Sequence, residues 1–273
     1  MHKTFPTTGP ASLYVEIGSG DVTIHATETL ETEVHVEGAD ADEVTVEQRG
    51  EQIVVIAPQR FARFLSGNGG LTVSVTLPLD SDVATKLGSA DLVATGRLGA
   101  ARHKSGSGDV EVEAFTEDAV VQSGSGDVEI GSSLGDLRVK SGSGHVQLGR
   151  VAGSTVVSSG SGRVTVDAAE DETVAKTGSG DVRIGEASSH VAMSSGSGDL
   201  DVGAIRRGEL KAKTASGDVR VGVPAGIPVW TDISCVSGSV RSNLEGAGQP
   251  TEGQDHIEIR ATTVSGDITL SQL

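Results

Sequence analysis

The sequence predicts an all-β protein, a parallel β-solenoid (β-helix or β-roll type) of about 18-residue coils with an N-terminal antiparallel β cap. Three observations carry this. A phrase of the form SGSGDVEV begins at Ser105 and recurs with a step of 18. The residue before its acid is Ala90, Gly108, Gly126, Gly144, Gly162, Gly180 and Gly198, every step 18, and then Gly217, Gly238 and Gly266 at steps of 19, 21 and 28. Within each unit apolar residues alternate with polar ones at a period of two, the pattern of a strand with one buried face. A helical period appears nowhere over a useful length, and internal self-similarity of this length marks a stacked-repeat fold.

With Ser105 as position 1, positions 6 and 8 are aliphatic: Val110 and Val112, Val128 and Ile130, Val146 and Leu148, Val164 and Val166, Val182 and Ile184, Leu200 and Val202. Positions 15 and 17 repeat the alternation, as in Leu137 and Val139 or Val191 and Met193, so each coil holds two strands. Position 11 is apolar in five of six units, with Ser133 the exception. The glycines at positions 2 and 4 are expected to supply a positive-φ turn. Hexapeptide coils are also 18 residues long, but they need aliphatic residues six apart. Here that series reads Val182, Ser188, Ser194 and fails. Handedness stays open.

Three regions follow from this pattern: 1–86, an N-terminal β cap with partly antiparallel strands; 87–222, the regular solenoid; and 223–273, irregular C-terminal coils and a cap. Capping ends are what an open solenoid requires. In the first region the alternating runs LYVEI, DVTIHA, TEVHVE, EVTVEQ, EQIVVIA and LTVSVTL are separated by turn signals. In the last, VPAGIPVW and a polar loop precede a final strand pair ending in VSGDITLSQL.

Position 5 forms a column: Asp91, Asp109, Asp127, His145, Arg163, Asp181, Asp199 and Asp218. Stacked carboxylates about 5 Å apart repel by roughly 1 kcal/mol in water. His145 and Arg163 interrupt the column, and Arg163 is placed to pair with Asp181. An Asp beside Gly also suits a turn by bonding its own backbone. The competing reading is calcium, because repeat-toxin β-rolls also use 18 residues per coil. Here the acid follows the second Gly one residue too early and only one turn carries the motif. An Arg in the slot also removes ligands where calcium wants six to eight oxygens. The expectation is no metal and no cofactor. Position 18 is Lys86, Lys104, Gln122, Lys140, Ser158, Lys176 and Ser194. It reads either as a solvated edge poor at strand pairing or as an anion-binding edge.

Catalytic motifs are thin. GSSLG at Gly131–Gly135 formally matches G-x-S-x-G, but a nucleophile elbow needs a strand before it and a helix after it. His2, His25, His35, His103, His145, His190 and His256 show no metal-ligand spacing. His103 falls at an inward position and reads as a satisfied core histidine. Cys235, the single cysteine, reads as a small buried residue and permits no intrachain disulfide, which suits a reducing compartment. The chain is therefore read as non-catalytic.

The formal charge of −17 is spread evenly, −8 over residues 1–86 and −9 over the rest, which argues against nucleic acid or an anionic membrane as partner. Six aromatic residues do not make a stacking platform for bases or sugars. The start of the sequence has no apolar h-region, and IVVIA at 53–57 is too short to span a bilayer, so a cytoplasmic protein without membrane insertion is expected. The segment 58–70 differs in composition from its surroundings. Phe61, Phe64 and Leu65 share one helical-turn spacing beside Arg60 and Arg63, as a cap over the first coils or as a binding element for a protein partner.

The SGSGDV coils, the lead-in LTVSVTLPLDSDVATKLGSADLVATG and the closing TVSGDITL resemble a family of bacterial domains of unknown function labelled putative adhesins. The resemblance covers nearly the whole chain. It implies a β-solenoid without established catalytic residues, so none carry over. The function expected is that of an interaction or scaffold protein. The alternatives are an exported surface adhesin, stabilised by calcium as repeat-toxin β-rolls are, and a polysaccharide-acting β-helix enzyme. The aromatic scarcity speaks against the latter.

Overall fold

The structure is a computed structural model that describes residues 1–38, 40–58, 70–246 and 256–273. It contains two compact units, residues 1–135 and 136–273. Each is built on parallel strands paired coil on coil.

In unit 2 the alternation at positions 6 and 8 produces a ladder of parallel strands, Val146–Val151, Val164–Ala169, Val182–Ala187, Leu200–Ile205 and Val219–Val223. Residues 18 apart are direct register partners: Val146 with Val164, Val164 with Val182, Val182 with Leu200. A second ladder runs through Leu137–Ser141, Thr155–Ser159, Thr173–Thr177, Val191–Ser195 and Gly208–Ser216. The expected inward positions are the buried ones. Val146, Leu148, Val164, Val166, Val182 and Ile184 are all at most 1% exposed, while the alternate residues face outward.

The C-terminal strands do not stack in chain order. Ile257–Ser265 pairs with Gly208–Ser216 on one side and Val229–Ser237 on the other. Ile268–Gln272 likewise lies between Val219–Val223 and Val240–Ser242. The last stretch of the chain thus inserts as the penultimate coil, and residues 229–242 form the terminal one.

Unit 1 uses the same parallel pairing from Ser12 onward. Ser12–Ile17 lies between Gln52–Ile56 and Ser81–Leu87, and Gly20–Thr27 between Leu71–Pro78 and the long strand Asp91–Ser105. The predicted antiparallel part is present. Glu31–Glu37 runs antiparallel to Leu71–Pro78, His2–Pro6 to Glu31–Glu37, and Thr45–Arg49 to Gln52–Ile56. Among the described residues, no helix is long and apolar enough to cross a membrane.

The glycines of the regular turns act differently from the expectation. Among the described residues, positive φ is found at Gly217, Gly238 and Gly266 of the irregular C-terminal coils but not at Gly108 or Gly162 of the regular ones. What excludes a side chain at Gly162 is space: a Cβ there would sit 1.9 Å from the carbonyl oxygen of Gly144, one coil below. The repeat keeps glycine because backbones of successive coils touch at this corner.

Candidate functional site

The column after the second glycine is a hydrogen-bonding device. In unit 1 the Asp91 Oδ1 accepts the backbone N–H of Asp109 at 2.9 Å, and the Asp109 Oδ1 accepts that of Asp127 at 2.8 Å. In unit 2 the Asp181 Oδ1 accepts from Asp199 at 3.1 Å, Asp199 from Asp218 at 2.8 Å, Asp218 from Asp267 at 2.9 Å, and Asp267 from Ser239 at 2.8 Å. The acids therefore bond the next coil's backbone. The expected bond to their own turn is not how they work. Each satisfies an amide that a wide turn would otherwise leave without a partner.

This explains His145. Its Nδ1 accepts the Arg163 amide at 3.1 Å. Nδ1 is bonded to Cγ, as Oδ1 of aspartate is, so it reaches the same point in space. Arginine has no acceptor, and Arg163 contributes charge instead, with its guanidinium 3.8 Å from Asp181. Two more arginines neutralise the column in unit 2: Arg220 bridges Asp199 at 3.2 Å and Asp218 at 2.6 Å, and Arg241 meets Asp267 at 3.1 Å. Asp199 raises the Arg220 pKa, and the bonds from Ser239, with Arg241 beside them, hold the Asp267 carboxyl below the usual carboxylate range.

Sequence reasoning missed a second column at position 14, on the other turn. Asp82 Oδ1 accepts the Ala100 amide at 2.9 Å in unit 1. In unit 2 Asp136 accepts from Ser154 at 3.0 Å, and His190 Nδ1 accepts from Glu209 at 3.0 Å. The signal was present as Asp82, Asp118 and Asp136 in one 18-residue frame. Only Asp136 follows a glycine, Gly135, so no recurring motif drew attention to them. Both turns, not one, carry the device, and histidine substitutes for aspartate once in each.

Other candidates resolve as follows. Ser133 of GSSLG is buried and donates to the Gly135 carbonyl at 3.1 Å. His103 is fully buried beside Phe115 with its Nδ1 3.0 Å from the Thr85 hydroxyl, but its Nε2 has no partner, so it is only half satisfied. Burial lowers its pKa to about 4. Cys235 is half-buried rather than buried, because it lies on the terminal coil, and its thiol contacts the Gly266 carbonyl at 3.2 Å. Among the described residues, no three His, Cys, Asp or Glu side chains gather into a metal-sized group. Arg60, Phe61, Arg63, Phe64 and Leu65 lie outside the described residues.

The lysine column is not at an edge. In unit 2, Lys140, Ser158, Lys176, Ser194, Lys213 and Thr262 are successive register partners on strands that mostly have neighbours on both sides. Beside them runs Arg138, Val156, Val174, Ala192, Lys211 and Arg260. From Arg138 and Lys140 to Arg260 and Thr262 these two columns hold six basic residues and no acid; on the terminal strand they continue as Asp232, beside Arg260, and Ser234. Lys211 and Arg260 are paired with Glu209 at 2.7 and 3.3 Å. Arg138, Lys140, Lys176 and Lys213 are exposed and, among the described residues, have no acidic partner.

Coils of 18 residues, joined through paired turn columns and stacked on buried aliphatic ladders, define a parallel β-solenoid. Residues 11–271 match the Toastrack DUF4097 family, and the chain belongs to that family. Among solved structures it is similar to a putative adhesin from Bacteroides fragilis, at 13% identity and a TM-score of 0.45, with 99% of this chain and 96% of that one covered. It is also similar to putative adhesins from Parabacteroides distasonis (14%, TM-score 0.42, 98% and 96% covered) and Parabacteroides merdae (12%, 0.41, 99% and 95%). A search of curated proteins finds no match.

Proposed function

We propose that the protein is a non-catalytic interaction protein that binds an anionic partner on the outward basic face of unit 2. One observation carries this reading: in a chain of net charge −17, two adjacent columns of that face hold six basic residues before their one acid, Asp232, on the terminal strand. Keeping a strand from pairing side to side does not account for them, because the strands that bear them are already paired. Alternation with serine puts Lys140, Lys176 and Lys213 two coils apart, roughly 10 Å at strand spacing. That spacing matches a linear polyanion or an acidic strand edge, which would lie along the column and neutralise it. The turn acids, which would be the first candidates for acid–base chemistry, are engaged as amide acceptors, and this supports the non-catalytic part of the reading.

The test is binding of a linear anionic polysaccharide, polygalacturonate, by the purified chain at low and at physiological salt. Binding that weakens steeply with salt and is lost when Lys140, Lys176 and Lys213 are together changed to Gln, with melting unchanged, supports the reading. A wild-type chain that fails to bind at low salt, or a triple variant that binds equally well, rejects it. The proposed compartment is the cytoplasm, consistent with a single cysteine. Recovery of the tagged chain in the envelope fraction would favour the surface-adhesin alternative instead.

A further inference from the structure

The terminal coil of unit 2 is unfinished. Val229–Ser237 pairs along one edge with Ile257–Ser265, and among the described residues no strand meets its other edge. Its inward residues Val229, Ile233 and Cys235 are only half-buried, although their register partners Ile257, Ala261 and Thr263 are fully so. On the outward face Trp230 is 53% and Val236 76% exposed. The Arg260 guanidinium lies 5.8 Å from the centre of the Trp230 ring. Natural edge strands are blunted by lysine, proline or inward charges. In unit 1 the edge strand His2–Pro6 carries both Lys3 and Pro6. Val229–Ser237 has neither, and its one charge is Asp232.

The occupant of this edge can be read from the strand's own order. Around Ile233 the sequence VWTDISCVS is self-complementary for antiparallel pairing, in which directly opposed residues point to the same face. A two-fold axis at Ile233 sets Trp230 against Val236 of a second copy, twice, and joins the exposed large apolar side chains of the strand. The same axis places Asp232 against Ser234, Thr231 against Cys235 and Ile233 against itself. Shifting the centre to Asp232 opposes two carboxylates. Shifting it to Ser234 puts Trp230 opposite Gly238. A centre between residues opposes inward to outward side chains. One register therefore matches shape, charge and facing together.

We propose that Val229–Ser237 is a homodimer interface, two copies pairing antiparallel and edge to edge about Ile233. This inference is independent of the anionic partner proposed above. The full chain is sized by light scattering over a range of concentrations, with Trp230→Lys, Val236→Glu and the double variant alongside. Both positions face outward and are exposed, so folding should be retained, and melting checks it. The expected result is a wild-type dimer, each single change weakening it by about tenfold or more, and recovery both in the double variant and when the two single variants are mixed. The mixture recovers because lysine at 230 of one copy then meets glutamate at 236 of the other. A wild-type chain that stays monomeric, a dimer indifferent to both changes, or loss without recovery on mixing each overturns the proposal. A monomer whose Val229–Ser237 amides resist hydrogen exchange overturns it as well, by giving the edge to a segment of the same chain.

Discussion

Val164 and Val240 occupy the same position of the repeat in unit 2. They stand in one register column, through Val182, Leu200, Val219 and Ile268. Val164 is fully buried and Val240 is 50% exposed. Residue type and strand position are identical, so the difference comes from neighbours, because Val164 has a coil on each side and Val240 has a coil on one. A solenoid core is thus a property of stacking, and stability in it is a sum over interfaces between adjacent coils.

The largest test of this contrast is a buried charge. Val164→Asp should cost about 4 kcal/mol or more, because an unpaired carboxylate is enclosed between two coils. Val240→Asp should cost about 1 kcal/mol, and Thr165→Asp, on the outward face, within ~0.5 kcal/mol. Chemical denaturation measures all three, and equal losses at 164 and 165 would refute the assigned facing.

A second test uses the buried histidine of unit 1. His103 has a folded-state pKa of about 4 against the ordinary 6.5, the fall being caused by burial. As pH drops below 6.5 the unfolded chain takes up a proton that the folded chain refuses. Stability should therefore decline between pH 6.5 and 4, by roughly 3 kcal/mol in all, and this contribution should level off below. His103→Leu should remove that part of the acid sensitivity. A variant with the wild-type slope over that window would place the titration elsewhere.

A third test addresses contact between coils. Gly162→Ala should destabilise by about 1–3 kcal/mol, since its methyl group would meet the Gly144 carbonyl. Gly9→Ala, with no atom within 4 Å of the new carbon, should change little. Thermal melting of the pair reads the difference, and two equal melting points would remove the crowding argument.

The smallest effect belongs to the turn column. Asp109→Ala removes the acceptor for the Asp127 amide and should cost about 1 kcal/mol. Asp109→Asn keeps an oxygen in place and should recover most of it. If both variants melt alike, charge and not the coil-to-coil bond is the acid's contribution.

Much of this arrangement was legible in the sequence. Inward residues such as Val146 and Val182 could be read because alternation reports burial directly. Arg163 beside Asp181 could be read because a constant step of 18 stacks equivalent positions. The role of Gly162 could not be read, since a need for positive φ and a need for close approach select the same residue. The second column, Asp82 to His190, was hidden because its acceptors change type and lack a recurring glycine pair, with Gly135 before Asp136 the one glycine beside them. The insertion of Ile257–Gln272 ahead of Val229–Ser242 had no sequence signal either. Every coil offers the same hydrogen-bonding edge, so likeness among repeats says nothing about their order in space. Lys140 and Lys176 were visible as a pattern, but only the pairing of their strands showed that they lie on a face and not an edge.

The central claim is the parallel register, in which a residue sits directly beside the one 18 positions later. Thr165 and Arg183 are outward register partners on adjacent strands, at a separation that a disulfide can span, whereas Asp201 lies one strand further on. In a Cys235→Ser background, Thr165→Cys with Arg183→Cys should oxidise to an intramolecular disulfide, and Thr165→Cys with Asp201→Cys should not. Efficient crosslinking of the second pair, or failure of the first in a folded chain, would contradict the stacking on which the rest depends.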